Sequence, residues 1–413
     1  MTPMTSRITR RVSARRARIA AVALATATLA TVAACIIGAT DVANAAATRQ
    51  QHELGAAARV AVAQAAAALT PGQSMLAAGQ VGTRSEIPWR LVGPGWTLVE
   101  FTAGNYKVAR PVTLYLLDPS GGMYRIYRWS ASMQPWRLVD WSGDKKRALV
   151  QQVGGKRTTM HQIALATGTV TTFTLPSAAS DVLGYTRPTG TNILVAEGGI
   201  ARYSLTGALK ARLISGSSHY AALSAANGLS ELVSGSAGVD LVSNNGGLVR
   251  QLPVPGTDAA AGGCTPVRWW RASVALVACM PRVAAGPRLW LVPLSGAKPI
   301  ALTPPRNGHG PDLGDLDAWH FPSGLYVQAL GACGTRFIGK QAAGGAVTVV
   351  HVPGSAGNNV VVTTKGDQML VREIPGCSQG SSLVWFNPAT SSARVALRAP
   401  VGGDGVISVI AFQ

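Results

Sequence analysis

"RLVDWSGDKKRALVQQV", Arg137–Val153, sets two runs of alternating apolar residues either side of a charged five-residue turn, Ser142 to Lys146. Alternation at period 2 across a short turn reads as a β-hairpin. Whether that hairpin is solitary or repeated decides the fold. It is repeated. "VLGYTRPTGTNILV" (182–195), "AALSAANGLSELV" (221–233), "VRWWRASVALV" (267–277), "AWHFPSGLYVQ" (318–328) and "VVTTKGDQMLV" (361–371) bring this first type to six.

A second hairpin type alternates with the first, beginning with "TLYLLDPSGGMYRIYRW" and ending with "LVWFNPATSSARVAL". Its seven turns fall near residues 120, 167, 207, 246, 296, 344 and 389, so the period is about 39 to 50 residues. Four short strands in such a period are one blade of a β-propeller. The expected fold is therefore all-β, a seven-bladed propeller over 87–413. Before Thr113 only "WTLVEFT" (96–102) stands as an inner strand, and "GVISVIAFQ" (405–413) is a strand without a mate. Pairing the two closes the ring and removes its open edges. If the weak repeat near Ala221 is not a full blade, six blades remain.

The amino end is set apart by its chemistry. Six arginines between Arg7 and Arg18 precede an uncharged run from Ile19 to Thr40, followed by Ala43-Asn44-Ala45. A basic stretch, an apolar run and a small-residue site make an export signal over 1–45, with cleavage after Ala45. Val32-Ala33-Ala34-Cys35 resembles a lipobox, and an uncleaved membrane anchor is the other alternative. Residues 46–86, rich in Ala and Gln, read as a helical or disordered tether.

Export also frames charge and cysteines. The first 45 residues hold six of the 37 basic and one of the 18 acidic residues, which leaves +14 on the remainder. Outside the membrane a basic surface suits an anionic cell-wall polymer rather than nucleic acid. With Cys35 removed, Cys264, Cys279, Cys333 and Cys377 remain, an even number suited to an oxidising compartment. Their places in the repeat put all four at one face and predict Cys264–Cys279 within a blade and Cys333–Cys377 across two blades.

"RLWLVPLSGAKPIALTPP" and "VDWSGDKKRALV" resemble the repeat of TolB-like propellers, in which W-S-P-D-G-K turns follow such hairpins. Gly143 and Lys145 stand where that pattern has Pro and Gly. Through "LGYTRPTG", "CTPVRWW" and "GLYVQALGACG" the whole chain also resembles exported actinobacterial TolB-like translocation proteins. The resemblance implies fold and export and fixes no mechanism.

Three groups of residues are candidates for chemistry. Trp141, Tyr185, Trp269, Trp270 and Trp319 fall near the ends of inner strands, as a sugar-binding ring or as plugs between blades. In "NGHGPDLGDLDAWH", His309, Asp312, Asp315, Asp317 and His320 offer oxygen and nitrogen ligands, although a long turn needs the same residue types. Gly376-Cys377-Ser378-Gln379-Gly380 fits the G-x-S-x-G formula but lacks the strand-to-helix context of a nucleophile. No cofactor or metal motif stands out. The expected function is binding of an envelope protein or polysaccharide without catalysis. The alternative is a hydrolase or lyase acting on a glycan or peptide in the central channel, for which paired carboxylates about 5 to 10 Å apart would be the mark.

Overall fold

The computed structural model describes residues 75–412, except 106–110, 131–135, 153–156, 177–180, 283–285, 307–310, 356–357 and 375–379. The export signal, the lipobox and most of the expected tether lie outside the described residues, as do His309, Cys377 and Ser378.

Among the described residues, seven sheets follow one another along the chain, six of four strands and one of five. Blade 2 is the simplest: Trp136–Trp141, Arg147–Gln152, Thr159–Ala164 and Val170–Thr174 lie side by side in chain order, each antiparallel to the next. Blades 3 to 7 repeat this order, with inner strands Asp181–Tyr185, Ala222–Ser224, Cys264–Arg271, Gly314–Phe321 and Asn358–Lys365. The stretch around Ala221 is a full blade, so the ring has seven blades.

Blade 1 takes its inner strand from the carboxyl end. Gly405–Ala411 pairs antiparallel with Thr97–Thr102, Leu98 opposite Ile410 and Val99 opposite Val409. On its outer side, Val81–Gly82 pairs in parallel with Met123 and Tyr124. Residues just before it are fastened too: the Leu76 amide donates to the Tyr124 hydroxyl, and the Ser120 hydroxyl donates to the Leu76 carbonyl. Part of the segment read as a tether thus adds a fifth strand to the first blade.

Packing follows from the alternation. The strands nearer the channel turn apolar residues toward the neighbouring blades, while outer strands such as Leu248–Pro253 stay largely exposed, so the core is divided among the blade interfaces. Leu98, Leu114 and Tyr124 of blade 1 meet Leu138, Trp141 and Val150 of blade 2. At the seam where the ring closes, Val99, Leu117 and Val406 meet Leu370, Leu383 and Trp385 of blade 7. Trp96, Trp141 and Trp385 are fully buried in these interfaces, each removing roughly 150–250 Å² from water.

The opening hairpin shows how a turn departs from its repeat and still holds. Asp144 accepts hydrogen bonds from the Ser142 hydroxyl at 2.6 Å and the Lys146 amide at 3.1 Å. Lys145 has φ 65°, the left-handed conformation that glycine adopts at no steric cost. Its ammonium donates to the Val92 carbonyl at 2.6 Å and lies 5.3 Å from the centre of the Phe412 ring.

Candidate binding site at the turn face of the channel

Six of the seven inner strands carry a β-bulge at the same level. The unpaired residue is Val139, Leu183, Val267, Leu316, Val362 or Ile407, apolar in every blade. A bulge re-aims one side chain and twists the strand. Blade 4 has a regular ladder there, with Leu223 opposite Leu232. Val139, Leu183, Leu223 and Val267 line a cavity of about 440 Å³ reached from the face that holds the first-type turns.

One residue nearer that face, six of the seven inner strands carry a polar residue, Asp140, Ser224, Arg268, Asp317, Thr363 or Ser408, and the seventh carries Gly184. Asp140, Ser224, Arg268 and Asp317 join blade to blade. Arg187 grips Asp140 with two hydrogen bonds, 3.0 and 3.2 Å, and their side chains are 17% and 13% exposed. Asp140 also accepts the amides of Trp141 and Tyr185, both at 2.7 Å. A Cβ on Gly184 would come within 2.8 Å of the Asp140 carboxylate, so the glycine makes room for the contact. The Arg187 amide donates to the Ser224 hydroxyl, which donates to Glu231 at 3.1 Å. The Trp269 indole N–H donates to the Ser224 carbonyl at 2.9 Å, which fixes a partly exposed ring at the cavity wall.

Turn length makes the mouth asymmetric. Blades 2, 3 and 4 turn over residues 142–146, 186–191 and 225–229, whereas blades 5, 6 and 7 use only 272–273, 322–323 and 366–367. The longer turns pack against one another with no room for side chains. A Cβ on Gly143 would fall 2.1 Å from the Pro188 carbonyl, and one on Gly228 2.4 Å from that of Arg187.

The expected aromatic ring is divided by the structure. Trp141, Tyr185 and Trp319 are buried in blade interfaces, and Trp270 packs against another. Only Tyr185 and Trp269 also border the cavity. Arg268 lies over the rings of Trp270 and Trp319, 5.1 and 5.7 Å from their centres, and pairs with Asp317 at 2.9 Å. The aspartates of the long turn do not converge on one point. Asp312 and Asp315 close on Arg306, at 2.8 and 3.0 Å, while Asp317 belongs to Arg268. His320 is exposed, and no group of three or more metal-ligating side chains gathers among the described residues.

Two carboxyls behind the polar ring are pushed up to about 7 by burial, those of Glu100 and Glu231. Hydrogen bonds from Ser408 and Leu138 to Glu100, and from Ser224 to Glu231, oppose the rise without cancelling it. Each keeps one oxygen without a hydrogen-bond partner among the described residues.

Cys264 and Cys279 form a disulfide at the far end of blade 5 from the cavity, directly opposite one another in the ladder. The expected Cys333–Cys377 bridge involves a residue outside the described ones. Cys333 is a free, exposed thiol in the turn Ala332–Gly334, with a left-handed backbone at φ 55°, and Cys377 is outside the described residues.

Asp140, Arg187 and Ser224 escape a reading based on motifs because their contacts join different blades. Two local signs mark them: a lone acid in an apolar inner strand just before Trp141, and a glycine inside the strand Asp181–Tyr185.

Strand order and cavity together define the class: a closed seven-bladed β-propeller with a recessed site on its channel axis. No protein-family model matches the sequence, and no curated protein matches it. Solved structures similar to the chain include TolB from Acinetobacter baumannii, 12% identical, with 72% of this chain and 62% of that chain covered and a TM-score of 0.40. A prolyl endopeptidase is 13% identical over 76% of this chain and 51% of that chain, with a TM-score of 0.47. An oligogalacturonate lyase from Vibrio parahaemolyticus is 11% identical over 62% and 76%, with a TM-score of 0.42. The chain spans less than two thirds of the TolB and endopeptidase chains, and at these identities the likeness is one of fold alone.

Proposed function

We propose that this protein is an exported binding protein of the cell envelope, which holds a polysaccharide or protein partner at the turn-face cavity without transforming it. The observation that carries the reading is the composition of the cavity wall. It offers one partly exposed indole fixed by Ser224, an apolar floor, and a single carboxylate, Asp140. Both oxygens of Asp140 are already engaged by Arg187 and two amides. Stacking on Trp269 and contact with the floor suffice for recognition, whereas acid–base cleavage of a glycan calls for a second carboxylate across the cavity.

Export accords with the sequence of the first 45 residues and with the disulfide. Arg187 keeps guanidinium hydrogens not used by Asp140, which suit an acceptor oxygen on the partner. The test is binding of the purified protein to fractionated envelope polysaccharides and envelope proteins. Trp269→Ala is expected to weaken the interaction by about tenfold or more, the cost of truncating an anchoring aromatic. Equal binding by wild type and Trp269→Ala, with both folded, overturns the site.

A further inference from the structure

A second recess lies at the opposite end of the propeller, independent of the turn-face cavity. It holds about 240 Å³ and is walled by Pro255, Pro281, Pro305 and Trp290, with Arg282 and Arg288 as the only charged residues among the described ones in its lining. The walls are fixed in several ways. Thr257 and Pro281 form an isolated β-bridge, the Arg282 amide donates to the Gly256 carbonyl at 3.2 Å, and the disulfide anchors Cys279 in the lining.

Arg288 is held in place by its neighbours. Its guanidinium lies 4.5 Å from the centre of the Trp290 ring and donates through Nε to the Thr303 carbonyl. Among the described residues no Asp or Glu lines the recess, and neither guanidinium has a counter-charge in its lining. Burial alone, with no compensating anion, lowers the affinity of Arg288 for its proton. A partly desolvated cation with free fork hydrogens is most stable when an oxyanion completes it, and guanidinium geometry matches phosphate oxygens in pairs.

We infer that this recess is an anion site that takes a phosphate group, with Arg288 as the principal contact, Arg282 as the second cation and Trp290 as the platform that orients the fork. The phosphate is either a free ion or one borne by a sugar, and the two sources share the same contacts.

Isothermal titration calorimetry of the full chain separates them, with inorganic phosphate in one arm and glucose 6-phosphate in the other. Binding in either arm, weakened about tenfold by Arg288→Gln, is the expected result. The arm with the greater affinity identifies the source. Trp269→Ala, which tests the turn-face cavity, leaves this binding unchanged, so the two sites fail separately. If Arg288→Gln lowers the melting temperature, Arg282→Gln at its exposed position provides the same readout. Absence of binding in both arms overturns the inference, as does undiminished affinity in a folded Arg288→Gln protein.

Discussion

Glu100 and Gln328 hold the same place in blades 1 and 6. Each stands on the second strand and accepts an amide hydrogen from the inner strand of the next blade, Leu138 at 3.1 Å and Val361 at 2.8 Å. Gln328 also donates its own amide to the Phe337 and Asn359 carbonyls, so every polar atom is used. Glu100 cannot do the same while ionised. Its second oxygen has no hydrogen-bond partner among the described residues, which is why burial favours its proton.

A pH dependence follows. Glu100 and Glu231 titrate near 7 in the fold and near the ordinary 4.5 when unfolded. Between these values the native state binds more protons, so stability is greatest below about pH 4.5 as far as these groups are concerned and falls as pH rises through 7. The loss is on the order of 3 kcal/mol per carboxyl. Burial works against ionisation of Asp144, but hydrogen bonds from Ser142 and Lys146 and the charge of Arg147 outweigh it. That contribution is lost in the opposite direction, as pH falls below 3.8. Thermal melts from pH 5 to 8 should show a falling melting temperature that Glu100→Gln with Glu231→Gln flattens. A wild-type melting temperature constant over that range would contradict the buried acids.

Lys145 tests whether a strained turn residue is held by its side chain. Replacement by Ala keeps the left-handed strain and removes the bond to Val92 and the contact with Phe412. Such contacts are each worth about 1 kcal/mol, so Lys145→Ala should destabilise by about 1–2 kcal/mol. Lys145→Gly relieves strain of about 1 kcal/mol and loses the same contacts, leaving it close to neutral. Urea titration of the two variants distinguishes them.

Ring closure predicts a non-local effect. Removing 405–412 strips blade 1 of its inner strand and exposes Val99, Leu117 and their partners in blade 7. The truncated chain should lose its cooperative melt or melt far lower, as circular dichroism would record. An unchanged melting temperature would mean that the remaining blades do not depend on the seam.

The cysteines give a chemical check. Non-reducing peptide mapping should recover Cys264 joined to Cys279, and a maleimide should modify Cys333 in the folded protein. Serine at both bridged positions should cost about 3 kcal/mol, the loop-entropy value for a separation of 15 residues.

What was legible in the sequence was periodic. Turns such as Ser142–Lys146 are local, and their recurrence marks blades 2 to 7, including the weakly patterned one at Ala221, while blade 1 is marked by its second-type hairpin and its two unmated strands. The polar ring was not legible because its meaning lies in pairs such as Asp140 with Arg187, 47 residues apart, and Arg268 with Asp317, 49 apart. Arg306 shows the same limit. Its side chain turns two nearby aspartates, plausible metal ligands when read along the chain, into an ion-paired turn.

The seam between Thr97–Thr102 and Gly405–Ala411 also governs the order of assembly. Glu100 and Ser408, hydrogen-bonded to each other, are separated by 308 residues. During synthesis the inner edge of the first blade has no mate until almost all the other blades have been made. Thr97–Thr102 is therefore an open template throughout translation, able to pair with another nascent chain. Closing the ring requires a contact of very long range in sequence, which the entropy of loop closure makes slow. A chaperone that shields one strand edge during that interval would protect the whole ring.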